Sequence, residues 1–88
     1  GAGTLGCFPV LPVEMMYFTA VTNSGTVVLD WSTASEKNND KFIIERSSDG
    51  INWFSIGEVA GGGTTNVISD YTFTDVDPLN GTSYYRLR

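Results

Sequence analysis

Short β-forming runs follow one another along this chain, and turn residues separate them. No segment shows helical apolar spacing with caps. Residues 14–22, 26–33, 41–47, 52–59, 68–74 and 82–88 are rich in Val, Ile, Thr, Tyr, Phe and Trp. Between them stand Asn23-Ser24-Gly25, the polar stretch 35–40, Ser48-Asp49-Gly50, the Gly- and Thr-rich stretch 60–66, and 75–81 with Pro78. That punctuation predicts an all-β protein. It also predicts that 35–40, with Glu36, Asn38, Asn39 and Asp40, is a solvated loop and that Gly61-Gly62-Gly63 is a hairpin loop. Alternation is sharpest in the second run, where Val27, Leu29 and Trp31 share one face and Val28, Asp30 and Ser32 the other. The first run is apolar on both parities, Met15, Tyr17 and Val21 against Met16, Phe18 and Ala20, so its inward face stays open.

Eighty-eight residues make one small domain. With 41% hydrophobic and 17% charged residues the chain is globular rather than disordered. The net charge is -5, and the five cations, Lys37, Lys41, Arg46, Arg86 and Arg88, are scattered. Nucleic acid requires clustered cations to displace counterions, so it is excluded as a partner, as is an anionic membrane. No apolar run is long enough for a membrane-spanning helix. The start of the chain lacks the basic and apolar segments of a signal peptide. Cys7 is alone, so no internal disulfide is expected. Thr4-Leu5-Gly6-Cys7 has a faint likeness to a lipoprotein cleavage site, but no apolar segment precedes it, and burial of Cys7 as a small hydrophobe is the better reading.

The chain contains no histidine. That removes Ser-His-Asp triads and most zinc sites, and no Gly-rich phosphate loop opens a helix. No catalytic residue and no cofactor is assigned. Asp70, Asp75 and Asp77 are candidate calcium ligands, although Asp in such positions ordinarily bonds its own turn. Asn80-Gly81-Thr82 matches a glycosylation acceptor, with a plain Asn-Gly turn as the stronger reading. Trp31 belongs to an alternating apolar face and is core. Trp53 follows a hairpin turn and is the candidate for stacking on carbohydrate.

Two stretches resemble hallmarks of the fibronectin type III family. Thr26-Val27-Val28-Leu29-Asp30-Trp31 is similar to its second strand, whose inward Trp fills the core. Leu79-Asn80-Gly81-Thr82-Ser83-Tyr84-Tyr85 is similar to the connection into its sixth strand, where a Leu stands six positions before a corner tyrosine. The spacing makes Tyr85 that residue, with Tyr84 one register step away as the alternative. The resemblance implies that its hydroxyl bonds backbone a few residues upstream.

A closer likeness lies in the order Leu11-Pro12-Val13-Glu14, Phe18-Thr19-Ala20, Trp31-Ser32-Thr33-Ala34-Ser35-Glu36, Asn38-Asn39-Asp40-Lys41-Phe42, Ile44-Glu45-Arg46-Ser47-Ser48-Asp49-Gly50, Trp53 and Pro78-Leu79-Asn80-Gly81-Thr82-Ser83-Tyr84-Tyr85-Arg86-Leu87. It resembles the fibronectin-like module of Bacteroidetes secreted proteins, found near the sorting domain of the type IX (Por) secretion system. The resemblance implies an immunoglobulin/fibronectin type III-like antiparallel sandwich over 13–88. It also implies export, an extracellular or cell-surface location, and no catalysis. The expected core is Val27, Leu29, Trp31, Phe42, Ile44, Phe73, Tyr85 and Leu87.

Set beside that family, the chain ends at Arg88 within the sixth strand, before the last (G) strand. The outer edge of the sixth strand would then offer unpaired N–H and C=O groups, which recruit another strand. Residues 1–12 are a possible donor: extended, broken by Pro9 and Pro12, able to reach about 40 Å, and free to fold back onto their own sandwich or to enter the groove of a neighbour. Candidate interaction residues are Phe8, Val10 and Leu11 on the donor, Tyr84 and Arg86 on the acceptor, and Trp53. Three functions stay open. The first is a non-enzymatic structural or interaction module, its edge completed by another strand, from itself or from its parent chain. The second is a self-assembling homo-polymer that donates residues 1–12, and the third is a carbohydrate-binding module. The other account of the early end is that the 88 residues are part of a longer chain.

Overall fold

The computed structural model describes residues 4–5 and 13–88. Six strands follow in order: β1 (Thr4–Leu5), β2 (Val13–Asn23), β3 (Thr26–Ser47), β4 (Phe54–Thr65), β5 (Ser69–Asp75) and β6 (Tyr84–Leu87). No helix occurs among the described residues. The protein is all-β, and every strand pair is antiparallel except β1 with β6.

β3 organises the molecule. Its first half pairs with β2 on one side and β5 on the other. Its second half pairs with β4 and β6. Twenty-two residues of straight strand would span about 70 Å, yet the longest dimension of the molecule is 38 Å. β3 therefore bends, and its register with β4 shifts between Glu36 and Asn39 and again between Asn39 and Lys41. Asn38, at φ 52°, takes the left-handed conformation that a short amide side chain tolerates.

The stretch 35–40 is thus a bent, bulged part of a strand, not the solvated loop expected from its polarity. Glu36 and Asn39 are buried there. Gly61-Gly62-Gly63 is likewise not a hairpin loop, because β4 runs on to Thr65 and pairs Gly63 with Asn39 and Thr65 with Glu36. The glycines let β4 hug the bend. A Cβ at Gly61 would collide with the Asn39 carbonyl, and one at Gly62 would sit 3.2 Å from both Glu36 Oε2 and the Tyr71 hydroxyl.

β2 settles the face that alternation left open. Its register slips at Glu14/Met15 and Met15/Tyr17. A bulge of this kind switches parity. Val13 and Met15 pack on the core before it, and Phe18 and Ala20 after it.

Val27, Leu29, Trp31, Phe42, Ile44, Tyr85 and Leu87 are buried as expected; Phe73 is half-buried and packs against them. Phe18, Trp31 and Tyr71 stand opposite one another on three neighbouring strands. Trp31 meets Phe18 edge-on at 6.2 Å and stacks on Tyr71 at 5.7 Å. Phe42, from beyond the bend, closes on both at 5.4 and 4.8 Å. The two halves of β3 therefore share one core, and the offset and edge-on ring contacts have the favoured geometry.

Candidate interaction edge

β6 lies between two partners. On one side it pairs antiparallel with β3, Tyr84 opposite Ser47 and Leu87 opposite Ile44. Reciprocal backbone bonds of 2.9 and 3.0 Å between Arg88 and Ile43 extend that ladder. On the other side β1 runs parallel, Thr4 opposite Tyr84 and Leu5 opposite Tyr85. The side of β6 away from β3 thus carries a strand from the far end of the chain.

β6 is fixed by alternation: Tyr85 and Leu87 point into the core while Tyr84 and Arg86 are half-buried. Of the two tyrosines that could stand at the corner, Tyr85 is the buried one and Tyr84 is half-buried. The Tyr85 hydroxyl donates to Asp75 Oδ2 at 2.8 Å rather than to the expected upstream backbone. Burial, then the neighbouring Asp75 carboxylate, pushes the phenol up to about 12. Arg46 Nη1 lies 2.9 Å from both Asp75 oxygens and also donates to the Asp77 carbonyl at 2.9 Å. The Asp77 amide donates back to Asp75 at 3.2 Å. Asp75 thereby ties β3, β5 and β6 together at one end of the core.

On the other face of β6, Arg86 Nε bonds Glu45 Oε1 at 2.6 Å, and Arg88 reaches the other Glu45 oxygen at 3.4 Å. The Arg86 guanidinium lies 4.4 Å above the Trp53 ring. A cation held over an indole face is an attractive pairing in its own right. Trp53 is half-buried, and Arg86 occupies a ring face on which a sugar would stack.

At the bend, the Glu36 carboxylate accepts four hydrogen bonds: from Tyr71 at 2.5 Å, Asn39 at 2.7 Å, and Thr33 and the Gly62 amide each at 2.9 Å. Burial alone would raise its pKa, but these donors outweigh burial and hold it below the ordinary value. The same contact, added to burial, pushes the Tyr71 phenol up. At the β3–β4 turn, Asp49 accepts from the Asn52 and Ile51 amides, each at 2.8 Å, which holds its carboxyl far below the usual range.

The structure brings Tyr84, Arg86 and Trp53 to one strand and its neighbouring turn. Phe8, Val10, Leu11 and Cys7 lie outside the described residues. Asp75 and Asp77 meet, but Asp75 is engaged by Arg46 and Tyr85, and Asp70 stands exposed opposite Ser32. Among the described residues no group of three or more His, Cys, Asp or Glu is placed to hold a metal ion. Sequence reasoning missed the Asp75–Arg46 pair and the burial of Glu36. Asp75 ends an alternating run of half-buried Tyr71 and Phe73, and that parity pointed inward. Nothing in the polar stretch around Glu36 distinguished it from a loop.

The fold and this edge define an all-β protein whose last strand bears a parallel partner. No family model, curated protein or solved structure matches the chain.

Proposed function

We propose that the protein is a non-enzymatic, fibronectin type III-like sandwich module of a secreted cell-surface protein, and that the outer edge of β6 is an acceptor for an added strand. The parallel pairing of β1 with β6 carries this reading. A strand edge offers main-chain donors and acceptors to any extended segment, so affinity comes from the ladder and selectivity from alternate side chains. The two halves of β3, joined at a bend around one core, support the sandwich. The extracellular location rests on the motif order from Leu11 to Leu87.

Hydrogen exchange tests the acceptor role. Removing residues 1–12 should speed exchange of the Tyr84–Leu87 amides, and a synthetic peptide of residues 1–12 should restore protection. Amides indifferent to both changes would overturn it.

A self-assembling fibre subunit is the second reading, favoured by one further feature of the same pairing. Donor and acceptor are separate segments of one chain, so the same pairing made between copies can run head-to-tail, and it builds a fibre where the rotation between copies does not close a ring or a swapped dimer. Electron microscopy of concentrated protein, with and without residues 1–12, separates the two.

A further inference from the structure

We infer that Asn80 is a self-modifying site: its side-chain amide is lost to water through a ring closed by the Gly81 backbone nitrogen. The argument is independent of the strand-acceptor reading. Asn80 is exposed in the connection between β5 and β6. Neither its side chain nor the Gly81 amide is engaged in a hydrogen bond among the described residues. Gly81 sits at φ +81° with open space where a Cβ would be. A free nucleophile, an accessible side-chain carbonyl and no side chain to crowd them are what the ring closure needs.

The chemistry uses water alone. The deprotonated Gly81 nitrogen attacks the Asn80 side-chain carbonyl carbon, the five-membered succinimide closes, and the amide nitrogen leaves as ammonia. Water then opens the ring at one of its two carbonyls, giving aspartate or isoaspartate. The net change is one amide and one water to one carboxylate and one ammonium ion.

The other asparagines are less well placed. Asn23, Asn38, Asn39, Asn52 and Asn66 each precede a residue with a side chain. Asn39 and Asn52 also spend their side-chain amides on Glu36 and Asp49, and Asn38 Oδ1 accepts from Thr64. Opening to isoaspartate adds one carbon to the main chain between two anchors, Asp75 at the core and the Leu79 amide bond to Ser83 Oγ at 3.2 Å. It also adds a negative charge to a chain already at -5. The same side-chain nitrogen would be the acceptor in the Asn80-Gly81-Thr82 pattern, and its loss removes that acceptor.

The folded protein, free of glycan, should be held in mildly alkaline buffer and followed by intact mass and peptide mapping beside an Asn80→Gln variant. The expected result is a species one dalton heavier that maps to Asn80, with isoaspartate the main isomer, while Asn80→Gln keeps its starting mass. The inference is overturned if the folded protein holds its mass while the urea-unfolded chain converts. It is equally overturned if Asn23 or any other amide is lost first.

Discussion

The Tyr85 hydroxyl donates to Asp75 Oδ2 at 2.8 Å inside the core, with both residues almost wholly removed from water. This contact joins the end of β5 to the middle of β6, and Arg46 of β3 closes it from the other side. Tyr85→Phe removes one donor and leaves Asp75 still paired with Arg46, so it should cost about 1–2 kcal/mol in a denaturant titration. Asp75→Ala also takes the carboxylate from Arg46 and leaves it the Asp77 carbonyl. It should cost about 3 kcal/mol, the lower end of the range for breaking a buried pair, because the Arg46 side chain keeps 18% exposure.

The same phenol sets an alkaline limit. Folding raises Tyr85 from 10.0 to about 12, so the folded state holds a proton that the unfolded chain releases. Its stabilisation is complete below pH 10 and should fall as pH rises from 10 towards 12. Denaturant midpoints measured across that window should decline, and Tyr85→Phe should flatten most of the slope. Tyr71, and Lys41 paired with Glu58, are also raised and add to the remaining slope.

Glu36 works in the opposite direction. Its folded pKa lies below the ordinary 4.5, so its stabilisation is present above that value and is lost as pH falls through the folded pKa. Glu36→Gln replaces one acceptor oxygen by a donor that faces existing donors. The expected loss is about 2–3 kcal/mol at neutral pH, with a weaker acid dependence than the parent. Equal stability of the two proteins at neutral pH would contradict the four-donor arrangement.

Gly61→Ala should destabilise by about 1–3 kcal/mol through overpacking, because the new methyl meets the Asn39 carbonyl. Gly25→Ala, at φ +85° in open space, supplies a control in which backbone strain acts without a collision. Thermal unfolding of both variants separates the two causes.

Trp53→Ala removes the face on which Arg86 lies. A cation–π contact contributes about 0.5–2 kcal/mol between exposed and desolvated sites, and with both residues half-buried the stability loss should be at least about 1 kcal/mol. A soluble-oligosaccharide titration of the parent checks the carbohydrate reading: with Arg86 in place the expected outcome is no binding.

Much of the fold was legible from residue pattern because burial in a strand repeats every second residue. Val27, Leu29 and Trp31 announced their inward face, while Tyr85 was placed by its spacing from Leu79 with Tyr84 as the alternative. Turn tripeptides marked both ends of β3, since Asn23-Ser24-Gly25 and Ser48-Asp49-Gly50 stop a ladder by local chemistry. Other features depended on contacts between distant segments. Glu36 is polar in any sequence window; it is buried only because Thr33, Asn39, Gly62 and Tyr71 converge on its carboxylate. The glycine triplet reads as a loop until the Asn39 backbone lies against it. The bulge in β2 hides which parity faces inward, because parity changes within the strand itself. The partner on β6 follows the same division. Period two narrowed β6 to two parities, Tyr84 with Arg86 or Tyr85 with Leu87, but main-chain hydrogen bonding is blind to side-chain identity, so only tertiary structure decided that Thr4 and Leu5 would take the other edge.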